Sequence, residues 1–170
     1  MNGTALEIER KYRLAAAPDP RALAYYGAEA YRIEQVYLVT PPPGRRVRRI
    51  ERPDGSVEHR FTRKTHLRDL VREEQEHEID AAAYAAYLEQ ADPDRRPIRK
   101  VRYVLPHGDQ RLEVDVFEEP PGLVLVEVEL RSEAEPVSLP GWLGEHRDVS
   151  ADPAYANASL ARIGARVPPY

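Results

Sequence analysis

Glu7, Glu9 and Lys11 alternate along the segment 6–14, Leu-Glu-Ile-Glu-Arg-Lys-Tyr-Arg-Leu, and in an extended chain that alternation places all three on one face. Carboxylates two residues apart on a strand lie roughly 6.6 Å from one another, a spacing that suits oxygen coordination of a hard cation. Lysine is scarce in this chain. Of its 25 basic residues only Lys11, Lys64 and Lys100 are lysine, and each directly follows an arginine: Arg10, Arg63 and Arg99. A lysine kept among so many arginines points to a need for a compact charge rather than a planar guanidinium, although three lysines left by chance would look the same.

The same alternation recurs down the sequence. Arg46 and Arg48 share a face, as do Thr62 and Lys64, then Arg72, Glu74, Glu76 and Glu78, then Lys100 and Arg102, Glu113 and Asp115, and Glu127 and Glu129. The intervening positions, among them Val101, Tyr103, Val114, Val116, Val124, Val126, Val128 and Leu130, are largely apolar.

Period-two segments at 6–14, 31–40, 45–51, 57–65, 70–79, 98–105, 111–117 and 123–131 predict eight strands. Pro41-Pro42-Pro43-Gly44, Pro53-Asp54-Gly55, His107-Gly108-Asp109 and Pro120-Pro121-Gly122 supply turns between them. The period changes to a helical one over 80–90, where Asp80 is a good N-cap for an alanine-rich run carrying Tyr84, Tyr87 and Leu88. A short helix is expected within 15–29, and a last one from Asp152-Pro153 to about residue 163, with a loop containing Trp142 before it. Eight hairpin-connected strands predict a closed antiparallel barrel or a sandwich. With no repeat or linker, residues 1–170 read as one domain.

Composition narrows the chemistry. There is no cysteine, which excludes thiolate catalysis and cysteine-based metal sites, and the cytoplasm is the expected compartment. No apolar run approaches the roughly 20 residues needed to span a bilayer, and the first ten residues carry no apolar signal-peptide core. A net charge of −4 argues against nucleic acid or an anionic membrane as partner. His59, His66, His77, His107 and His146 show no metal-ligand spacing and read as surface residues, and Trp142 reads as a packing anchor. No phosphate-cradling glycine loop, Ser/His/Asp arrangement or dinucleotide fingerprint is present.

Two arrangements account for the charged face. In an ordinary half-buried sheet it meets water while the apolar face meets the core, and periodicity alone favours this. Alternatively, the charges line the interior of a barrel whose apolar outside is covered by helices. That interior is affordable only if water, metal ions and an anionic ligand neutralise it.

Glu7-Ile8-Glu9-Arg10-Lys11 resembles the Glu-x-Glu-x-Lys signature that opens the CYTH domain, the fold of the triphosphate tunnel metalloenzymes. The resemblance continues in order over almost the whole chain: Gln35-Val36-Tyr37-Leu38, Arg46-Val47-Arg48, Phe61-Thr62-Arg63-Lys64, the run 72–79, Lys100-Val101-Arg102-Tyr103, the run 113–117, and the closing Glu127-Val128-Glu129. Residues 152–161, with Tyr155, Asn157 and Leu160, are similar to the family's terminal helix.

The resemblance implies a mainly β (α+β) domain: an eight-stranded closed antiparallel barrel with a few flanking helices, one of them C-terminal. It implies that Lys11, Tyr37, Arg46, Arg48, Lys64, Lys100 and Arg102 bind a triphosphate. It implies too that Glu7, Glu9, Glu127 and Glu129 hold Mg²⁺ or Mn²⁺ if the barrel closes first strand to last. Glu74, Glu76 and Asp115 are further candidate ligands, or are held by tunnel arginines instead. Catalysis falls to Glu7, Glu9, Lys11, Glu127 and Glu129. The implied activity is metal-dependent hydrolysis of a small-molecule triphosphate, inorganic tripolyphosphate first, with a homodimer left open. Family members also include thiamine and nucleoside triphosphatases, class IV adenylate cyclases and polyphosphate polymerases, and the fold does not choose among them; a non-catalytic sensor that retains triphosphate or polyphosphate is the alternative of another class.

Overall fold

The computed structural model describes residues 3–170; Met1 and Asn2, the first residues of the domain expected over 1–170, lie outside the described residues. Eight strands form the frame: β1 (Gly3–Leu14), β2 (Glu29–Tyr37), β3 (Arg45–Glu51), β4 (Val57–Arg68), β5 (Val71–Ile79), β6 (Ile98–His107), β7 (Gln110–Glu119) and β8 (Val124–Glu129). Every pairing among them is antiparallel. The order β5-β4-β3-β2-β6-β7-β8-β1 closes through a β5–β1 pairing, so the sheet is a barrel, as the strand count and the resemblance predict.

Closure depends on β1 serving two neighbours along its length. Its residues Gly3 to Ile8 pair with β5, and Glu9 to Arg13 pair with β8. The register sets Glu9 directly opposite Glu129, and Lys11 opposite Glu127. Turn chemistry fixes the hairpins: Asp54 accepts hydrogen bonds from the backbone N–H (2.9 Å) and hydroxyl (2.6 Å) of Ser56, and Gly55 takes the left-handed conformation the turn requires. Gly44 is constrained more tightly. It also has a positive φ, and a Cβ there would lie 2.1 Å from the carbonyl oxygen of Lys64, so only glycine lets β3 begin flush against the strand that carries this lysine.

A ninth strand, β9 (His146–Asp148), lies within the stretch read from sequence as loop. It pairs with Tyr12 to Leu14, where β5 no longer accompanies β1. Three exposed residues give no alternating pattern to read, so only the free edge of β1 recruits them.

The apolar outer face is covered in two ways. Helix α1 (Pro20–Tyr25) is N-capped by Asp19 and buries Leu23; helix α2 (Ala81–Leu88) is N-capped by Asp80, whose carboxylate accepts from Ala83 N–H at 2.7 Å. Tyr84 and Tyr87 of α2 pack on Val36, Val47 and Phe61 of β2 to β4 and on Leu38 just past β2. Over β6, β7, β8 and β1 the cover is not the expected α-helix but the chain between β8 and β9, which is irregular except for one 3-10 turn (Gly141–Leu143). That segment brings Val137, Leu139, Trp142 and Leu143 onto Leu112, Val114, Val126 and Val128. Trp142 also stacks on Tyr26 with ring centroids 4.6 Å apart, which makes it a packing residue.

The terminal helix expected from Asp152 to about residue 163 is not continuous. Asp152 caps a short 3-10 turn (Pro153–Tyr155), Ala156 is extended, and α3 spans only Asn157–Leu160. Tertiary contacts override local propensity here. Tyr155 is fully buried, its hydroxyl accepts from Arg13 (3.1 Å) and Arg147 (2.7 Å), and a regular helix would not present it in that direction.

Candidate functional site

The charged face is the inside of the barrel. A cavity of about 460 Å³, in the range of small-ligand sites, is lined by eight carboxylates and eight cations, Arg52, Glu58 and Arg111 included. Arg46 and Arg48 enter from β3, Arg60 and Lys64 from β4, Lys100 and Arg102 from β6. Glu7 and Glu9 come from β1, Glu74 and Glu76 from β5, Glu113 from β7, and Glu127 and Glu129 from β8. Lys11 and Asp115 stand behind this lining and bond to members of it. The face that periodicity alone would turn to water is thus enclosed, because closure leaves it nowhere else to point.

One end of the tunnel is apolar. Tyr37, Ile98, Phe117 and Leu125 continue the inward rows of their strands, and Tyr155, Leu160 and Ala161 pack onto them. Tyr37, expected at the tunnel, has its ring in this cluster beneath the guanidinium of Arg95, and its hydroxyl accepts from Gln35 Nε2 at 2.8 Å. Gln35 lines the cavity itself, as does Asn157 of α3. Toward the other end Tyr31, Ile33, Ile50 and Val104 join the lining.

Most carboxylates are already engaged. Glu76 accepts from Arg60 (2.8 Å), Thr62 (2.9 Å) and Arg48. Lys64 bonds Glu7 at 2.6 Å and lies 2.9 Å from Glu74, where it is out of line for a hydrogen bond. Asp115 binds Lys100 and Arg102, and Arg102 also binds Glu113 and Glu127. Glu127 is shared with Lys11, whose ammonium lies 3.1 Å away. Two carboxylates differ. Glu129 forms no ion pair among the described residues, and the one ion pair of Glu9 is with Lys11 at 3.9 Å. These two face each other across β1 and β8.

Among the cations Arg46 stands apart. It is buried, it forms no ion pair among the described residues, and its Nε has no hydrogen-bond partner. Burial works against its charge, but Tyr37, Glu74 and Glu7 outweigh burial and raise its pKa, keeping the guanidinium charged; a buried N–H donor without an acceptor is still costly unless a ligand completes it.

The electrostatics follow this pattern. Burial raises Glu76, but Arg48, Thr62 and Arg60 outweigh it and bring its pKa down to about 2. Burial likewise raises Glu127, and Lys11, Arg102 and Lys100 overcome it, leaving this carboxyl well below its ordinary value. For Glu7 burial prevails: Lys64 pulls it down, Glu9 and Glu74 push it up, and the balance lies above the usual carboxylate value. Burial depresses Lys100 despite Asp115, whereas Glu127 and Glu9 outweigh burial at Lys11 and raise it.

Hard oxygen donors suit a divalent cation, and like charges set opposite each other across a strand pair are destabilising without one, so Glu9 and Glu129 fit such an ion. No three carboxylate or histidine side chains converge as a complete cage among the described residues. Mg²⁺ is commonly held by one or two carboxylates together with phosphate oxygens, which is compatible with this geometry. Sequence reasoning passed over Gln35, Arg60 and Asn157. Gln35 and Arg60 share strand parity with the chosen residues Tyr37, Thr62 and Lys64, so alternation contained the signal; Asn157 enters through the break at Ala156, which nothing local foretells.

No protein-family profile and no curated protein matches the chain. Among solved structures, the inorganic triphosphatase NE1496 superposes with a TM-score of 0.58 at 31% identity, over 96% of this chain and 100% of its own. The PH1819 protein from Pyrococcus horikoshii gives a TM-score of 0.59 at 20% identity, over 75% of this chain and 80% of its own. HpAC1 from Hippeastrum, a protein with dominant triphosphatase activity, gives 0.53 at 21% identity over 74% and 80%. The last two similarities establish the fold alone.

Proposed function

This chain belongs to the CYTH family, the triphosphate tunnel metalloenzymes, and from that premise we propose that it is a metal-dependent hydrolase of triphosphates, with inorganic tripolyphosphate as its substrate. The observation that carries this reading is Arg46, a buried cation with no ion pair among the described residues and an unpartnered Nε, set among Arg48, Lys64 and Lys100 in a cavity of small-ligand size. A polyanion would complete the contacts of these cations. Similarity to the inorganic triphosphatase NE1496 over nearly the full length of both chains supports the choice of substrate.

In this reading Lys11, Arg46, Arg48, Lys64, Lys100 and Arg102 neutralise the phosphate chain, the arginines through paired N–H donors and the lysines as point charges. Tyr37 holds Gln35, which borders the same space, and so bears on the substrate through that amide. Glu9 and Glu129 would hold Mg²⁺ or Mn²⁺, joined by Glu7 and Glu127 once the phosphates compete for Lys64 and Lys11. Glu74, Glu76 and Asp115 are less suited, because cations already face their oxygens. The metal supplies charge neutralisation at the phosphate oxygens and acidifies water. The protein's part is to fix the chain in line and to present the open carboxylates beside it.

The test is an assay of purified protein with tripolyphosphate, ATP and thiamine triphosphate in Mg²⁺ or Mn²⁺, resolving phosphate, pyrophosphate and cyclic AMP. Phosphate release from tripolyphosphate, abolished by excess chelator, is expected. Pyrophosphate with cyclic AMP would make the protein a cyclase, tight binding without turnover would make it a sensor, and undiminished turnover in chelator would remove the metal from the mechanism.

A further inference from the structure

Asp115 is the most enclosed carboxylate of the tunnel. Its side chain has no solvent exposure, and both of its oxygens are occupied. Oδ1 accepts from Arg102 Nε at 2.7 Å; Oδ2 accepts from Arg102 Nη2 at 2.7 Å and from Lys100 Nζ at 2.6 Å. Lys100 is closed in further by the ring of Phe117, whose centroid lies 5.2 Å from the ammonium. The same Arg102 Nη2 reaches Glu127 Oε2 at 2.7 Å, and Glu127 in turn meets Lys11. A chain of contacts therefore begins at Asp115 on β7, crosses Arg102 of β6, and ends at Lys11 of β1.

We propose that Asp115 is a positioning residue that fixes Lys100 and Arg102 for the triphosphate, and that it is not a metal ligand. This rests on the functional reading above and deepens it. A bidentate contact to the guanidinium together with a bond to the ammonium engages both oxygens and three of the carboxylate's roughly four acceptor positions, so a cation at Asp115 would have to compete with two side chains that the substrate needs. The sign of its effect separates this role from that of a mere negative charge. Neutralising a carboxylate that only repels the polyanion tightens binding. Neutralising one that holds two cations leaves a buried ammonium without its partner, and binding weakens.

The experiment is a double-mutant cycle on Asp115→Asn and Lys100→Gln, with Glu129→Gln as reference. Tripolyphosphate affinity is measured by calorimetry in excess chelator, and the Mg²⁺ concentration for half-maximal phosphate release is measured separately. Asp115→Asn is expected to weaken metal-free tripolyphosphate binding by about tenfold or more, with a Mg²⁺ half-point within about twofold of wild type, and the double variant to lose much less than the two single losses combined. Affinity that tightens or stays level, additive losses, or a Mg²⁺ half-point moved about tenfold, the size of shift expected of a ligand, each overturns the proposal.

Should Asp115→Asn fail to fold, the double variant, from which both charges are removed, is compared with Lys100→Gln alone. Matching affinities and half-points support positioning, and a higher Mg²⁺ requirement in the double variant overturns it. Unsubstituted protein that binds no tripolyphosphate overturns the functional reading itself, and that failure is visible before any variant is made.

Discussion

Strands β7 and β8 are neighbours, and each sends carboxylates into the same tunnel, yet the two contributions differ in kind. Asp115 on β7 is sealed off, with both oxygens bonded to Lys100 and Arg102. Glu129 on β8 is exposed at the cavity and forms no ion pair among the described residues, and Glu9 faces it from β1 with one long contact to Lys11. Side-chain chemistry is nearly the same in both places. What differs is the neighbour that closure supplies: β7 pairs with the basic strand β6, whereas β8 pairs with β1, which carries its own acids. Asp115 beside the basic strand stabilises and orients, while Glu9 and Glu129, unlike Glu127, keep oxygens available at the seam for a ligand.

Variants at the seam should have the largest consequences for activity. Glu9→Gln or Glu129→Gln keeps size but removes charge, and turnover of tripolyphosphate is expected to fall by roughly a hundredfold or more, with metal-free affinity retained. Near-normal turnover at limiting metal would erase the distinction between the seam and the β6–β7 side. Next come the basic groups: Arg46→Ala or Arg48→Ala of the lining, or Lys11→Ala just behind it, should weaken calorimetric tripolyphosphate affinity by tens-fold, because each removes a desolvated positive charge. Arg10→Ala and Arg49→Ala, which break only exposed pairs with Asp148 and Glu51, should change it by about twofold at most, and equal losses from the two sets would argue that the tunnel is not the binding site.

A smaller effect concerns stability. Glu76 has a pKa near 2 against an ordinary value of 4.5, so the unfolded chain takes up a proton more readily than the folded one as pH falls. Its contribution is therefore present above pH 4.5 and is lost as pH drops toward 2. The thermal midpoint of Glu76→Gln should lie below wild type at neutral pH, and the gap should close on acidification; a gap independent of pH would mean that Arg48, Arg60 and Thr62 do not hold Glu76 in its charged form. Least affected should be Glu118→Gln, on an exposed pair with Arg32, whose turnover and stability should match wild type.

Much of this was legible without coordinates, for identifiable reasons. A period of two marks strands by itself, so β3 has the limits expected and the inward rows of β1, β3, β4 and β6 contain the residues chosen. Asp80 caps α2 because a short acceptor before an alanine-rich run acts locally. Where the outcome depended on distant partners, the reading was incomplete. The last helix breaks at Ala156 because Tyr155 is drawn into a core assembled from β6, β7 and β8. The outer face of β6 to β8 is covered by a loop with one 3-10 turn rather than by an α-helix, because one tryptophan and a few aliphatic side chains suffice to bury it.

The sequence by itself determined which residues share a face and that the face is charged, since alternation is a property of the extended backbone alone. It did not determine whether that face meets water or encloses a cavity, nor which acids would be neutralised. Those were decided by closure of β1 onto both β5 and β8 and by the register that follows, which sets Glu9 against Glu129 and Arg102 against Asp115. A charge acquires its role from the charges beside it, and in a barrel the neighbours come from strands far apart in the chain.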